Sequence, residues 1–167
     1  MIYFMFLFIN PIWLWPGLAV IVWVAALALV PPRRFGALLP IGLLGGFFLT
    51  LAIQYLAVDV LDLWRFNLAF AGPTIYLAPL WLLIAYIPEV ILFIHWYPVN
   101  NVSRVFYIVL FALANTLVEW AFVGAGLRYY VHWNVLFTFT LAVVVHLIVL
   151  GLYVATGGRE KLATGKA

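Results

Sequence analysis

Cysteine is absent from this chain, serine occurs once, as Ser103, and charged residues make up only 8% of the 167 positions. Each shortage excludes something. Without cysteine there is no disulfide, no thiolate metal site and no cysteine nucleophile. Ser103 stands in a short polar turn, so neither a nucleophile elbow nor intramembrane serine hydrolysis has a nucleophile to use. No G-x-x-x-x-G-K stretch is present to cradle a nucleotide phosphate. Long polar stretches are missing too, apart from a short tail at Gly157 to Ala167, which leaves no room for a separate soluble domain.

What the chain does contain is apolar. It is 69% hydrophobic with a mean hydropathy of +1.22. Soluble proteins average roughly 45–50% apolar and about 25% charged residues. A soluble domain of this size could not bury the excess, so the sequence reads as an all-α, polytopic membrane bundle in a lipid bilayer. The pI near 9.3 comes from a net charge of +3 scattered over several turns, which reads as membrane topology and not as a nucleic-acid surface.

A helix needs about 20 apolar residues to cross about 30 Å of hydrocarbon. Five segments meet that test: Ile12–Val30, Ala37–Val58, Thr74–His95, Val105–Ala125 and Val135–Thr156. Pro31-Pro32-Arg33-Arg34 ends the first, because proline cannot continue the ladder and arginine resists entering lipid. Met1–Ile9 has no basic leader and no small-residue cleavage site, so it reads as retained, with Met1–Phe8 at the interface or lengthening the first helix. Arg33, Arg34, Arg104, Arg159, Lys161 and Lys166 gather on one side, and only Arg65 and Arg128 on the other. The positive-inside rule then predicts an outside N-terminus and a cytoplasmic C-terminus, with 157–167 as the cytoplasmic tail. Gly42 and Gly46 form a G-x-x-x-G, read first as close packing inside the bundle and second as a contact between copies.

Ionisable groups inside such runs cost at least about 2.5–3.5 kcal/mol each and mark candidate sites. Glu119 lies about 6 Å outward from the middle of the fourth expected span, His146 at the middle of the fifth, and Gln54 about 10 Å outward on the second. Asn115 is one turn before Glu119 on the same helical face. A polar seam of Gln54, Asn115, Glu119 and His146 is expected, with Glu119 meeting His146 and Asn115 holding the carboxylate. Glu89 follows Pro88 about 7 Å to the cytoplasmic side of its span's centre, and Pro88 frees a backbone carbonyl near residue 84. The plainer reading of each group is structural: interhelical polar contacts average only about 0.6 kcal/mol, yet they set register.

A second cluster gathers at the outer rim: Asp59 and Asp62 from one turn, with Arg128, Tyr130, His132 and Trp133 from another. Facing opposite charges predict pairs such as Asp62 with Arg128, either as a salt-bridged rim or as the mouth of a pocket leading to Glu119. No cofactor and no metal are expected. His95 and His132 fall at opposite membrane surfaces, so neither clamps a haem together with His146, and no E-x-x-H or H-x-x-x-H spacing supports a metal site.

Leu117-Val118-Glu119, followed by Leu127-Arg128-Tyr129-Tyr130-Val131-His132-Trp133-Asn134, resembles a family of small five-helix integral membrane proteins common in spore-forming Gram-positive bacteria. Trp96-Tyr97-Pro98, Asp59 or Asp62 after the second span, and Pro32-Arg33-Arg34 are similar as well, so the likeness runs from about Pro31 to Tyr153. Glu89 and His146 have no counterpart in it. The resemblance implies a multi-pass protein of the bacterial cytoplasmic membrane, with Glu119, Tyr130, His132 and Trp133 as residues of interest, and it implies no chemistry because that family has no assigned activity.

Three functions stay open at this point. The first is a non-enzymatic accessory or sensor subunit, or a small-molecule-binding bundle, using the Glu119 seam. The second is a proton-linked carrier or channel-like oligomer. The third is an intramembrane enzyme on a lipid or isoprenoid with Glu119 or Glu89 as proton donor. A membrane-protein partner or a second copy of the chain fits any of them.

Overall fold

The computed structural model describes residues 10–98 and 100–158. The Met1–Phe8 segment, and the tail with Arg159, Lys161 and Lys166, lie outside the described residues. The chain is mostly helical, with helices α1 (Pro11–Leu29), α2 (Pro32–Val60), α3 (Leu80–His95), α4 (Asn101–Gly124) and α5 (Val135–Gly158). Of these, α1, α2, α4 and α5 are long and apolar enough to cross a membrane.

Helix starts follow from local chemistry. The side chains of Asn10, Asn100 and Asn134 accept hydrogen bonds from the backbone N–H of Ile12, Val102 and Phe137, at 3.2, 2.9 and 3.0 Å. Each satisfies a donor that the first turn leaves open. Pro32 opens α2 at a position where its missing N–H costs nothing. The third expected span begins later than Thr74. Thr74–Ile75 (β2) pairs with Ala78–Pro79 (β3) in a short hairpin whose turn holds Tyr76 at φ 53°, and α3 starts at Leu80. Proline is the reason: a helix through Pro79 would lose a hydrogen bond and press the ring on the carbonyl four residues back. The sixteen residues that remain in α3 span about 24 Å.

The shortest of these helices forms the centre. Leu83, Ile91 and Phe93 of α3 are fully buried, α1 and the glycine-rich part of α2 pack on it, and α4 packs on α5. Around them Ile21, Leu27, Phe48, Phe106, Leu110, Leu136 and Leu147 point outward and exposed. Apolar side chains on the outside of four long helices are what a lipid environment selects.

Two sequence features sit inside this core. Gly42 and Gly46 face α3, and a Cβ on Gly46 would stand 2.4 Å from the Tyr86 carbonyl oxygen, so the G-x-x-x-G packs within the bundle. Pro88 leaves the Ile84 carbonyl without its helical donor, and the indole N–H of Trp23 on α1 donates to that oxygen at 3.1 Å. A side chain from the neighbouring helix thus replaces the bond that proline removes.

At one end of the bundle the turns after α2 and α4 are joined. Strand β1 (Trp64–Phe66) pairs antiparallel with β4 (Arg128–Tyr130), with Trp64 opposite Tyr130 and Phe66 opposite Arg128. Asn67 extends the ladder, its N–H donating to the Leu127 carbonyl at 2.9 Å and its side chain to that of Gly126 at 3.1 Å. Alternation in β4 buries Arg128 and exposes Tyr129.

Candidate functional site

The four expected seam residues and Glu89 meet in one place. Gln54 from α2, Glu89 from α3, Asn115 and Glu119 from α4, and His146 from α5 line a chamber of about 70 Å³, joined at the hairpin end by Arg128 and Trp133. That volume holds a few water molecules.

The pairing inside the chamber differs from the expected one. Glu119 does not bond His146. It accepts a hydrogen bond from Arg128, which the ladder turns inward from the hairpin end. Arg128 is 5% exposed at its side chain and Glu119 12%, so the guanidinium is buried and the carboxylate largely so. Burial of a guanidinium is tolerable here because three partners face it. Besides the carboxylate, the Trp64 ring lies 4.0 Å from the guanidinium carbon and the Phe66 ring 5.2 Å. Gln54 holds Trp64 in turn, its Oε1 accepting from the indole Nε1 at 3.0 Å.

Asn115 does not hold Glu119 either. Its Nδ2 donates to Glu89 Oε1 at 3.2 Å, and the same oxygen lies 3.1 Å from His146 Nε2. The other ring nitrogen, Nδ1, lies 2.7 Å from the Ala142 carbonyl, an oxygen that can only accept. Nδ1 therefore carries a proton, and the nitrogen facing Glu89 is the one whose protonation can change. One proton between His146 Nε2 and Glu89 Oε1 completes the contact, whether it resides on the imidazole or on the carboxyl. Phe93 packs edge-on against the imidazole at 4.5 Å and fixes the ring plane.

The rim divides. Asp59 and His132 stay exposed at the hairpin end. Asp62 does not reach Arg128. It pairs with Arg65 three residues on, Oδ1 with Nε at 2.7 Å and Oδ2 with Nη2 at 2.6 Å, in an exposed bridge. The hydrogen bond from that guanidinium holds the Asp62 carboxyl below the ordinary carboxylate range; desolvation opposes it, and the charges of Arg65 and His132 add to the lowering. Asp62 also adopts φ 47°, which lets the turn fold back and bring Arg65 within reach. Trp133 and Tyr130 instead turn toward α5: Trp133 Nε1 donates to the Thr138 hydroxyl at 2.9 Å, and the Tyr130 hydroxyl lies 3.3 Å from it.

Several contributing residues escaped the sequence reading. Trp64 and Phe66 seat Arg128, Tyr86 lines the chamber, and Trp23 repairs the helix that carries Glu89. The detectable signal for the first two was the alternation Trp64-Arg65-Phe66, a period of two that belongs to strands.

No family model, curated protein or solved structure matches this chain.

Proposed function

We propose that this protein is a non-enzymatic, multi-pass protein of the bacterial cytoplasmic membrane, a proton-responsive sensor or accessory subunit whose working site is the chamber between α2, α3, α4 and α5. In this reading α3 is the fifth span, the N-terminus lies outside and the C-terminus in the cytoplasm. The bias of basic residues toward the end carrying Arg33, Arg34 and Arg104 supports that orientation. Membership of the small five-helix family that the Glu119–Trp133 stretch resembles belongs to the same proposal.

The observation that carries the reading is the Glu89–His146 contact, an acid and an imidazole that share one proton position inside an apolar bundle. Histidine is the side chain whose ordinary titration falls between about pH 5 and 8, so the pair is a physical basis for a pH response. Chamber size favours this over a metabolite carrier, since ligand sites run roughly 300–1,000 Å³ and this chamber is about 70 Å³. Among the described residues no cysteine or serine lines the chamber, whose hydroxyls belong to Thr50, Tyr86 and Thr138, the last held by Trp133 and Tyr130.

The test is infrared difference spectroscopy on the full chain in lipid nanodiscs while pH is stepped. A carboxyl band and an imidazole marker are expected to change together, and Glu89→Gln is expected to remove both. A spectrum that stays flat across the histidine range, or a carboxyl signal that survives in Glu89→Gln, overturns the proposal.

A further inference from the structure

A second cavity lies on the other side of the acid wall. It measures about 110 Å³, runs between α1, α3 and α4, and is lined by Trp15, Leu18, Ala85, Val118, Glu119 and Phe122 among others. Its walls are mostly apolar, and Ala114 and Val118 at its margin are exposed on the outer surface of the bundle. Tyr86, Glu89 and Asn115 also reach this wall, and two polar atoms of lining residues lack a partner. The indole nitrogen of Trp15, a residue 2% exposed, has no hydrogen-bond partner among the described residues, and neither has Oε1 of Glu119. The edge-on contact of Trp15 with Phe122, at 4.5 Å, holds the indole against the turn of α4 next to Glu119.

An unmatched buried donor and an unmatched buried acceptor each carry the desolvation penalty of a lost hydrogen bond, so a ligand that satisfies both gains twice. The donor is an N–H that cannot accept. The acceptor belongs to a carboxylate whose other oxygen is engaged by Arg128. A hydroxyl group matches the chemistry of both, able to accept from the Trp15 indole and to donate to the Glu119 carboxylate. An ammonium donates but cannot accept, and a carboxylate would meet the Glu119 charge. The apolar walls take the first carbons of a chain, and the exposed margin leaves the remainder outside the protein.

We infer that the α1–α3–α4 cleft is a binding site for an apolar chain ending in a hydroxyl, of the long-chain or isoprenoid alcohol class, entering from the bilayer. The cleft shares Tyr86, Glu89, Asn115 and Glu119 with the first chamber, but His146 does not line it, and the alcohol site goes beyond the proton-responsive reading.

The test uses the full chain in phosphatidylcholine nanodiscs and a dodecanol analogue carrying a diazirine near its hydroxyl. Cross-links are expected to concentrate on the cleft faces of α1 and α4. Unlabelled dodecanol is expected to compete, with dodecane, dodecylammonium and dodecanoate each weaker by about fivefold or more, the worth of one hydrogen bond. Trp15→Phe is expected to weaken labelling about fivefold, and Val118→Trp to block it. Val118 is exposed, so the second variant keeps the test decisive should Trp15→Phe fold poorly. Labelling spread evenly over the outer faces, dodecane competing as well as dodecanol, or labelling indifferent to both substitutions overturns the inference. The pH-dependent carboxyl band is read separately in Trp15→Phe, where the alcohol-site inference expects it unchanged.

Discussion

Arg128 enters the bundle from a two-stranded turn and donates a hydrogen bond to Glu119, while the Trp64 ring covers its other face. The most expensive acid in the fourth helix is thereby neutralised by a residue nine positions later, across a reversal of the chain. Breaking a buried pair by removing one member costs about 3–5 kcal/mol, because the other charge stays buried. Arg128→Met is therefore expected to lower the unfolding midpoint in a mild-detergent melt strongly. The double variant Arg128→Met with Glu119→Leu, which removes both charges, is expected to recover most of the loss.

The Trp23–Ile84 bond predicts a coupled pair of substitutions. Trp23→Phe leaves the Ile84 carbonyl without its donor and is expected to cost about 1–3 kcal/mol. In a Pro88→Ala background residue 88 regains an N–H four positions after Ile84, so the same Trp23→Phe change is expected to cost much less. Equal costs in the two backgrounds, measured by equilibrium unfolding, would show that the indole does not replace the missing helical bond.

Glycine packing gives a contrast within one helix. Gly46→Ala pushes a methyl group into the Tyr86 backbone and is expected to cost at least about 1–3 kcal/mol. Gly36→Ala, where no atom lies within 4 Å of the new methyl, is expected to be neutral. Sedimentation of both variants is expected to leave the oligomeric state unchanged, since Gly42 and Gly46 face α3 and not a second copy.

The rim ion pair predicts where a pH response should not come from. The Asp62 carboxyl is held below its ordinary range by Arg65, so whatever it contributes to stability is present above the unfolded carboxylate value and is lost only as pH falls through the lower folded value. Asp62→Asn is therefore expected to leave pH dependence between about 5 and 8 untouched. A change in that window measured by thermal shift would move the pH-responsive site from Glu89–His146 to the rim.

How much of the site was legible can be followed through helix ends. With a span starting at Thr74, Glu89 is placed about 7 Å below centre, whereas α3 starting at Leu80 puts it about 2 Å from centre, level with His146. With a span starting at Val105, Glu119 is about 6 Å outward, whereas α4 starting at Asn101 puts it about 10 Å outward, near the turn that carries Arg128. Two shifts of a few residues thus moved Asn115 and His146 from Glu119 to Glu89 and brought Arg128 to Glu119. The identity of the seam residues survived, because an ionisable or amide side chain in an apolar run stands out wherever the ends are drawn.

Composition and run lengths by themselves determined that the chain forms long apolar helices, where polar groups interrupt them, and that Pro88 must free a carbonyl. These are local consequences of hydrogen-bond geometry and of the cost of putting charge among hydrocarbon. Which imidazole meets which acid, which indole replaces the bond lost at Pro88, and that Arg128 turns inward while Arg65 stays at the rim were decided only by tertiary structure. Sequence spacing sets a residue's height along its own helix. The rotation of that helix about its axis, and the neighbour it faces, follow from packing contacts made by residues far away in the chain.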